Sequence, residues 1–167
     1  MNLKEIVKIE KQFIDATRPT LSKWSQKGSI HFVTNGHFLL YGQGIKVAFE
    51  EAGRCPLTDG IPPADDLINK VTQEINQYVH SFDIPCFDFD TKKNITGLFT
   101  DSLHAIRSEK FSTPITEKDE NLIGFNIKYL QLLEKIGFTK LLWKDNKSAA
   151  YANIEGCLEA ILMPIRL

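Results

Sequence analysis

The sequence predicts an α+β fold in which a helix followed by an antiparallel meander occurs twice, with a segment carrying its own helix and strands between the halves. Three observations predict it: an apolar stripe of helical period at the start, an Asn-Gly hairpin soon after it, and a capped helix followed by three turn-separated strands at the end. The 167 residues suit a single domain, with residues 51–121 read as an insertion.

Residues 3–17 place Leu3, Ile6, Ile9, Phe13 and Ala16 on one helical face. Arg18-Pro19 ends the pattern, because the residue before a proline is pushed out of the α region. Lys4, Lys8 and Lys11 recur on another face, as a solvated stripe or as a surface that meets phosphates. A hairpin follows, with Ser29–Thr34 and His37–Tyr41 joined by Asn35-Gly36, the strongest short turn signal. Gly42-Gln43-Gly44 then breaks the chain before a third expected strand, Ile45–Phe49.

The stretch from Glu51 to Pro63 is rich in turn residues. A second helix is expected after Pro63, with Asp65-Asp66 in its first turn and Leu67, Ile68, Val71, Ile75, Tyr78 and Val79 as its apolar stripe, ending near Phe82. Short strands are expected at Cys86–Phe89, Ile95–Thr100 and Leu103–Ile106, and a polar loop leads to Leu122-Ile123-Gly124-Phe125. In the last third Asn126 caps a helix carrying Ile127, Leu130, Leu133 and Ile136, and Gly137 ends it. Strands at Thr139–Trp143, Ala149–Ile154 and Cys157–Ile165 complete the second half.

Composition narrows the function. At 43% hydrophobic and 25% charged residues the chain has material for a core and is not a disordered segment. A net charge of −1, from 20 basic and 21 acidic residues, argues against a strong free-standing nucleic-acid binder, which needs clustered Lys and Arg. Cys55, Cys86 and Cys157 are widely separated and match neither a disulfide framework nor metal-ligand spacing, so a reducing cytoplasm is expected. The charged N-terminal residues suggest neither a signal peptide nor a membrane span, and no membrane partner is expected. His31, His37, His80 and His104 lack ligand spacing, and there is no phosphate-binding loop or dinucleotide fingerprint, so no cofactor or metal is expected. Asp88 and Asp90, alternate residues of one strand, read as solvated carboxylates rather than a metal site.

Gly124-Phe125-Asn126-Ile127-Lys128-Tyr129-Leu130 through Met163-Pro164-Ile165-Arg166-Leu167 resembles the last half-domain of the bacterial DNA polymerase III β sliding clamp, including the Phe-Asn at the helix start and the chain end. Thr17-Arg18-Pro19-Thr20-Leu21-Ser22 is similar to the clamp segment joining the first helix to its first strand. Leu39 through Ala48 occupies the place of the clamp's Thr-Asp-Gly-His-Arg-Leu stretch, with Gly44 and Lys46 close in kind. The resemblance implies a single clamp-like domain with helices toward a DNA channel and sheets facing outward. It also implies no enzymatic activity and a role in DNA replication or repair.

The resemblance further implies that Leu162, Met163, Pro164, Ile165, Arg166 and Leu167, with Gly44, Ile45, Lys46 and Val47, take short peptide motifs of replication and repair proteins. Lys4, Lys8, Lys11, Lys128 and Lys135 would touch double-stranded DNA weakly, since Glu5, Glu10 and Glu134 are interspersed. A clamp subunit has three such domains, so encircling DNA requires a homo-oligomer of about six copies by domain counting, or partner chains. Two other readings stay open: a structural or self-assembling unit without a DNA role, and a small hydrolase using Cys86 or Asp88 and Asp90.

Overall fold

The computed structural model describes residues 1–13, 15–84, 95–99, 104–108 and 123–165, with backbone alone for 95–99 and 104–108. Its frame is a seven-stranded antiparallel sheet built from the two meanders. The first comprises β1 (Ser25–Lys27), β2 (Ile30–Thr34) and β3 (Phe38–Tyr41), and the second β8 (Lys140–Trp143), β9 (Ala150–Ile154) and β10 (Leu158–Leu162). With β4 (His80–Asp83) the order is β1-β2-β3-β10-β9-β8-β4. The last strands of the two meanders thus meet at the centre, where Leu40 faces Ala160 and Tyr41 faces Glu159. Strands β5 (Ile95–Phe99), β6 (His104–Ser108) and β7 (Ile123–Asn126) form a smaller sheet in the order β6-β5-β7.

Helices α1 (Leu3–Gln12), α2 (Gln43–Glu51) and α4 (Ile127–Ile136) lie on one face of the large sheet. Ile6 and Ile9 of α1, Ile45 and Phe49 of α2, and Leu130 and Leu133 of α4 meet Val33, Leu40, Ala152, Leu158, Ala160 and Leu162 in the main core. The best-defined helix is α4. Asn126 accepts a hydrogen bond from the Lys128 N–H at 2.9 Å, and Gly137 closes the other end with φ 115°.

The opposite face is covered by α3 (Asp65–Glu74), whose Ile68 and Val71 pack with Phe32, Leu39, Tyr41 and Ile161. A sheet covered on both sides loses the alternation of apolar and polar residues. That accounts for β3, Phe-Leu-Leu-Tyr, being buried at every position. The expectation of sheets facing outward is therefore corrected over this part of the face, because a helix from within residues 51–121 covers it.

Four element expectations are also corrected. Ile45–Phe49 is helix, not a third strand: Gly44, Ile45, Ala48 and Phe49 are buried together, at helical spacing. The third strand of the first meander is instead β1, on the other side of the hairpin, paired Ser25 to Phe32. The first helix stops at Gln12, well before Arg18. The second stops at Glu74, gives way to a 3-10 turn at Ile75–Gln77, and leaves Val79 73% exposed, off any apolar stripe, while Phe82 belongs to β4. The expected strand at Cys86–Phe89 lies outside the described residues.

Candidate functional site

Strand β10 organises both openings on the α3 face. Its period-2 alternation sends Leu158, Ala160 and Leu162 into the main core and Ile161 toward α3, so Glu159 and Met163 belong to the α3 side as well. Ile161 lies beneath the helix, with Met163 just beyond the C-terminal end of β10 and Glu159 near the start of the strand.

At the Met163 end there is a groove of about 660 Å³. Leu67, Lys70, Val71 and Glu74 of α3 form one wall, the turn Asp145–Ala149 the other, and Met163, 38% exposed, lies at its border. Two contacts hold the walls together. Tyr78 donates its hydroxyl to the Ala149 carbonyl at 2.9 Å, and Lys144 pairs with Glu74 at 2.8 Å. Burial, with the charges of Glu74 and Asp145, pushes the Tyr78 hydroxyl up to about 12, so it remains a donor at neutral pH. The turn itself is stiff: Asp145 accepts from the Lys147 and Ser148 N–H groups and from the Ser148 hydroxyl. Burial opposes ionisation of Asp145, but these bonds outweigh it and hold its carboxyl below the usual range. The groove lining thus combines the apolar Leu67, Val71 and Met163 with the cations of Lys70 and Lys147 and the carboxylates of Glu74 and Asp145.

The chain beyond β10 is a strap between the two sheets. Met163 donates its N–H to the His37 carbonyl in the β2–β3 turn, and Ile165 donates to the Gly124 carbonyl in β7, both at 2.8 Å. Pro164 and Ile165 are half-buried. Leu162 is a core residue, 1% exposed, and is corrected from a lining to a packing position. Arg166 and Leu167 lie outside the described residues.

Gly44, Ile45, Lys46 and Val47 sit in the first turns of α2, not beside the tail. Gly44 donates its N–H to the Cys157 carbonyl at 2.8 Å, at the start of β10. Met163 lies six positions along the extended chain from Cys157, about 20 Å at roughly 3.4 Å per residue. Within one copy the two stretches do not form one pocket. Ile45 is fully buried; Val47 is 41% exposed, and Lys46 pairs loosely with Glu50 at 3.8 Å.

The expected DNA-facing lysines Lys4, Lys8, Lys11, Lys128 and Lys135 are all exposed, on the two contacting helices α1 and α4. Lys8 pairs with Glu5 at 2.5 Å, and the Lys128 ammonium lies 4.9 Å from the centre of the Phe13 ring. Asp88, Asp90 and Cys86 lie outside the described residues. Among the described residues no group of three His, Cys, Asp or Glu side chains is placed to hold a metal, and no helix is long and apolar enough to cross a membrane.

Sequence reasoning missed the α3 wall, the Asp145 turn and the whole Glu159 end. At that end lies a cleft of about 330 Å³ whose lining includes Tyr41, Tyr151, Asn153 and Glu159. Tyr41 and Tyr151 both donate to Oε2 of Glu159, at 2.5 and 3.0 Å. The available signal was polar residues at alternate positions of otherwise apolar strands, Tyr151 and Asn153 in one and Glu159 in the next.

No protein-family model matches this chain, and no curated protein sequence does. Among solved structures, the chain is similar to the DnaN sliding clamp (DNA polymerase III subunit beta) of Bartonella birtlesii in a crystal structure bound to griselimycin. That similarity has 13% sequence identity and a TM-score of 0.49, and it covers 99% of this chain and 64% of that one.

Proposed function

We propose that this chain is a non-enzymatic, clamp-like binding module that takes short peptide motifs of replication or repair proteins in the groove bordered by Met163. The observation that carries the reading is the placement of the tail. The segment whose sequence resembles the clamp's peptide-binding end leaves an exposed thioether at a groove lined by Leu67 and Val71 and by charged side chains of both signs. Thioethers adapt to varied apolar partners, and an extended peptide with one or two apolar anchors suits such a groove. The paired helix-and-meander halves support the same reading.

Double-stranded DNA would be a weak, secondary partner of the α1 and α4 lysines. The Gly44–Val47 stretch contributes to a peptide site only when a second copy brings its α2 to the tail of the first. Light scattering tests that arrangement: assembly into closed oligomers supports it, and a strict monomer removes it while leaving the single-copy groove. The groove is tested by titrating a labelled clamp-binding peptide. Saturable binding weakened by Met163→Ala is the expected result, and no binding at high protein concentration contradicts it.

A further inference from the structure

We propose that the cleft at the Glu159 end of β10 binds an organic cation, a guanidinium or primary ammonium group, on the carboxylate of Glu159. The two tyrosine hydroxyls spend their hydrogens on one oxygen, Oε2. The side chains of Thr72 and Asn153 in turn reach the hydroxyls of Tyr41 and Tyr151. The hydroxyl hydrogens of both tyrosines are therefore used within the cluster. Two acceptors of the cluster remain to meet a ligand: Oε1 of Glu159, which has no hydrogen-bond partner among the described residues, and the amide oxygen of Asn153. A charged acceptor left free in a cleft favours a group that only donates, and guanidinium and ammonium are such groups.

Charge leads to the same conclusion. Burial, together with the hydrogen bond and charge of Glu159, pushes the Tyr41 hydroxyl far up, and burial and that same charge push Tyr151 up. Both phenols thus stay protonated beside a carboxylate. The described lining of the cleft contains neither lysine nor arginine. Its histidine, His31, is pushed below its ordinary value by burial and by Lys46, and so supplies little positive charge at neutral pH. A half-enclosed carboxylate with no cation of its own, flanked on neighbouring strands by two aromatic rings, has the composition that attracts organic cations. Tyr41 lies directly opposite Glu159 in the ladder, so the arrangement is fixed by sheet register rather than by a loop. The volume suits a small molecule or a single side chain.

The probes are N-acetyl-arginine amide and N-acetyl-lysine amide, with N-acetyl-citrulline amide as the neutral shape match, each titrated into the full chain by amide NMR. Arginine and lysine amides are expected to give saturable shifts confined to Ser29, Tyr41–Gln43 and Asn153–Glu159. Citrulline amide is expected to bind roughly tenfold more weakly or not at all. Folded Glu159→Gln, checked by its thermal midpoint, is expected to lose the preference for the charged probe. Equal binding of citrulline amide, shifts elsewhere, or no saturation with either cation overturns the proposal, and these wild-type comparisons hold even if the variant does not fold. The Met163 groove takes no part in this readout, so failure here leaves the peptide reading standing.

Discussion

The Ile165 N–H donates to the carbonyl of Gly124 at 2.8 Å, and this bond ties the end of the chain to the strand that leads into α4. Gly124 is buried, so its carbonyl has no water to turn to when the bond is removed. Ile165→Pro deletes the donor. Urea denaturation is expected to show a loss of about 1–3 kcal/mol, the range for orphaning a buried carbonyl. An unchanged midpoint would mean that the strap adds nothing to the fold.

Gly42 and Gly156 give a contrasting pair. Gly42 has φ 122°, and a Cβ there would lie 2.8 Å from the Cys157 carbonyl oxygen, while Gly156, at φ 67°, faces open space. Gly156→Ala meets only the left-handed strain, about 1 kcal/mol. Gly42→Ala must also move the backbone where β3, α2 and β10 converge, and is expected to cost more than about 2 kcal/mol or to yield no soluble protein. Equal midpoints for the two variants would contradict the close approach at Gly42.

Asn126 satisfies an otherwise unpaired amide at the start of α4. Asn126→Ala is expected to lower unfolding stability by about 1 kcal/mol, and Asn126→Asp or Ser to recover most of it. Thermal or urea midpoints of the three variants check this directly.

His31 makes stability depend on pH. Burial first, then the charge of Lys46, holds its pKa below the ordinary 6.5, with Glu50 opposing. The unfolded chain therefore takes up this proton before the folded one does. The stability His31 contributes is full above 6.5 and is lost as pH falls from there through the folded-state value. Urea midpoints measured from about pH 8 to about pH 5 should fall more steeply for the native protein than for His31→Phe. That variant keeps an aromatic ring against Trp24, with which His31 now packs at 5.8 Å. Parallel curves would show that His31 titrates alike in both states.

The legible parts of the fold are those whose causes are local. Asn126 and Gly137 bracket α4 through contacts within one turn of either end. The hairpin is also local in cause, although it turns at Gly36-His37 rather than Asn35-Gly36, with Gly36 at φ 89° and the Asn35 side chain accepting from the His37 and Phe38 N–H groups. The stretch Ile45 to Phe49 was misleading because Ile45, Val47 and Phe49 alternate as a strand does, and five residues are too few to separate that period from a helical one. The covering of the second sheet face by α3 left no local mark except the unbroken apolar run of β3. Of the two openings, the Met163 end was half visible, since alternation from Leu162 places its neighbour on the other face. The Glu159 cleft was not, because Tyr41 and Glu159 are 118 positions apart and meet only through the β3–β10 register.

Peptide capture at the Met163 groove is tested most directly by fluorescence anisotropy of a labelled clamp-binding peptide against native protein, Met163→Ala and Leu67→Ala. Saturable binding by the native chain is expected, weakened roughly tenfold (about 1.4 kcal/mol) by either substitution, with the thermal midpoint of Met163→Ala unchanged. No binding by the native protein, or equal affinity for all three proteins, would contradict a peptide site bordered by Met163.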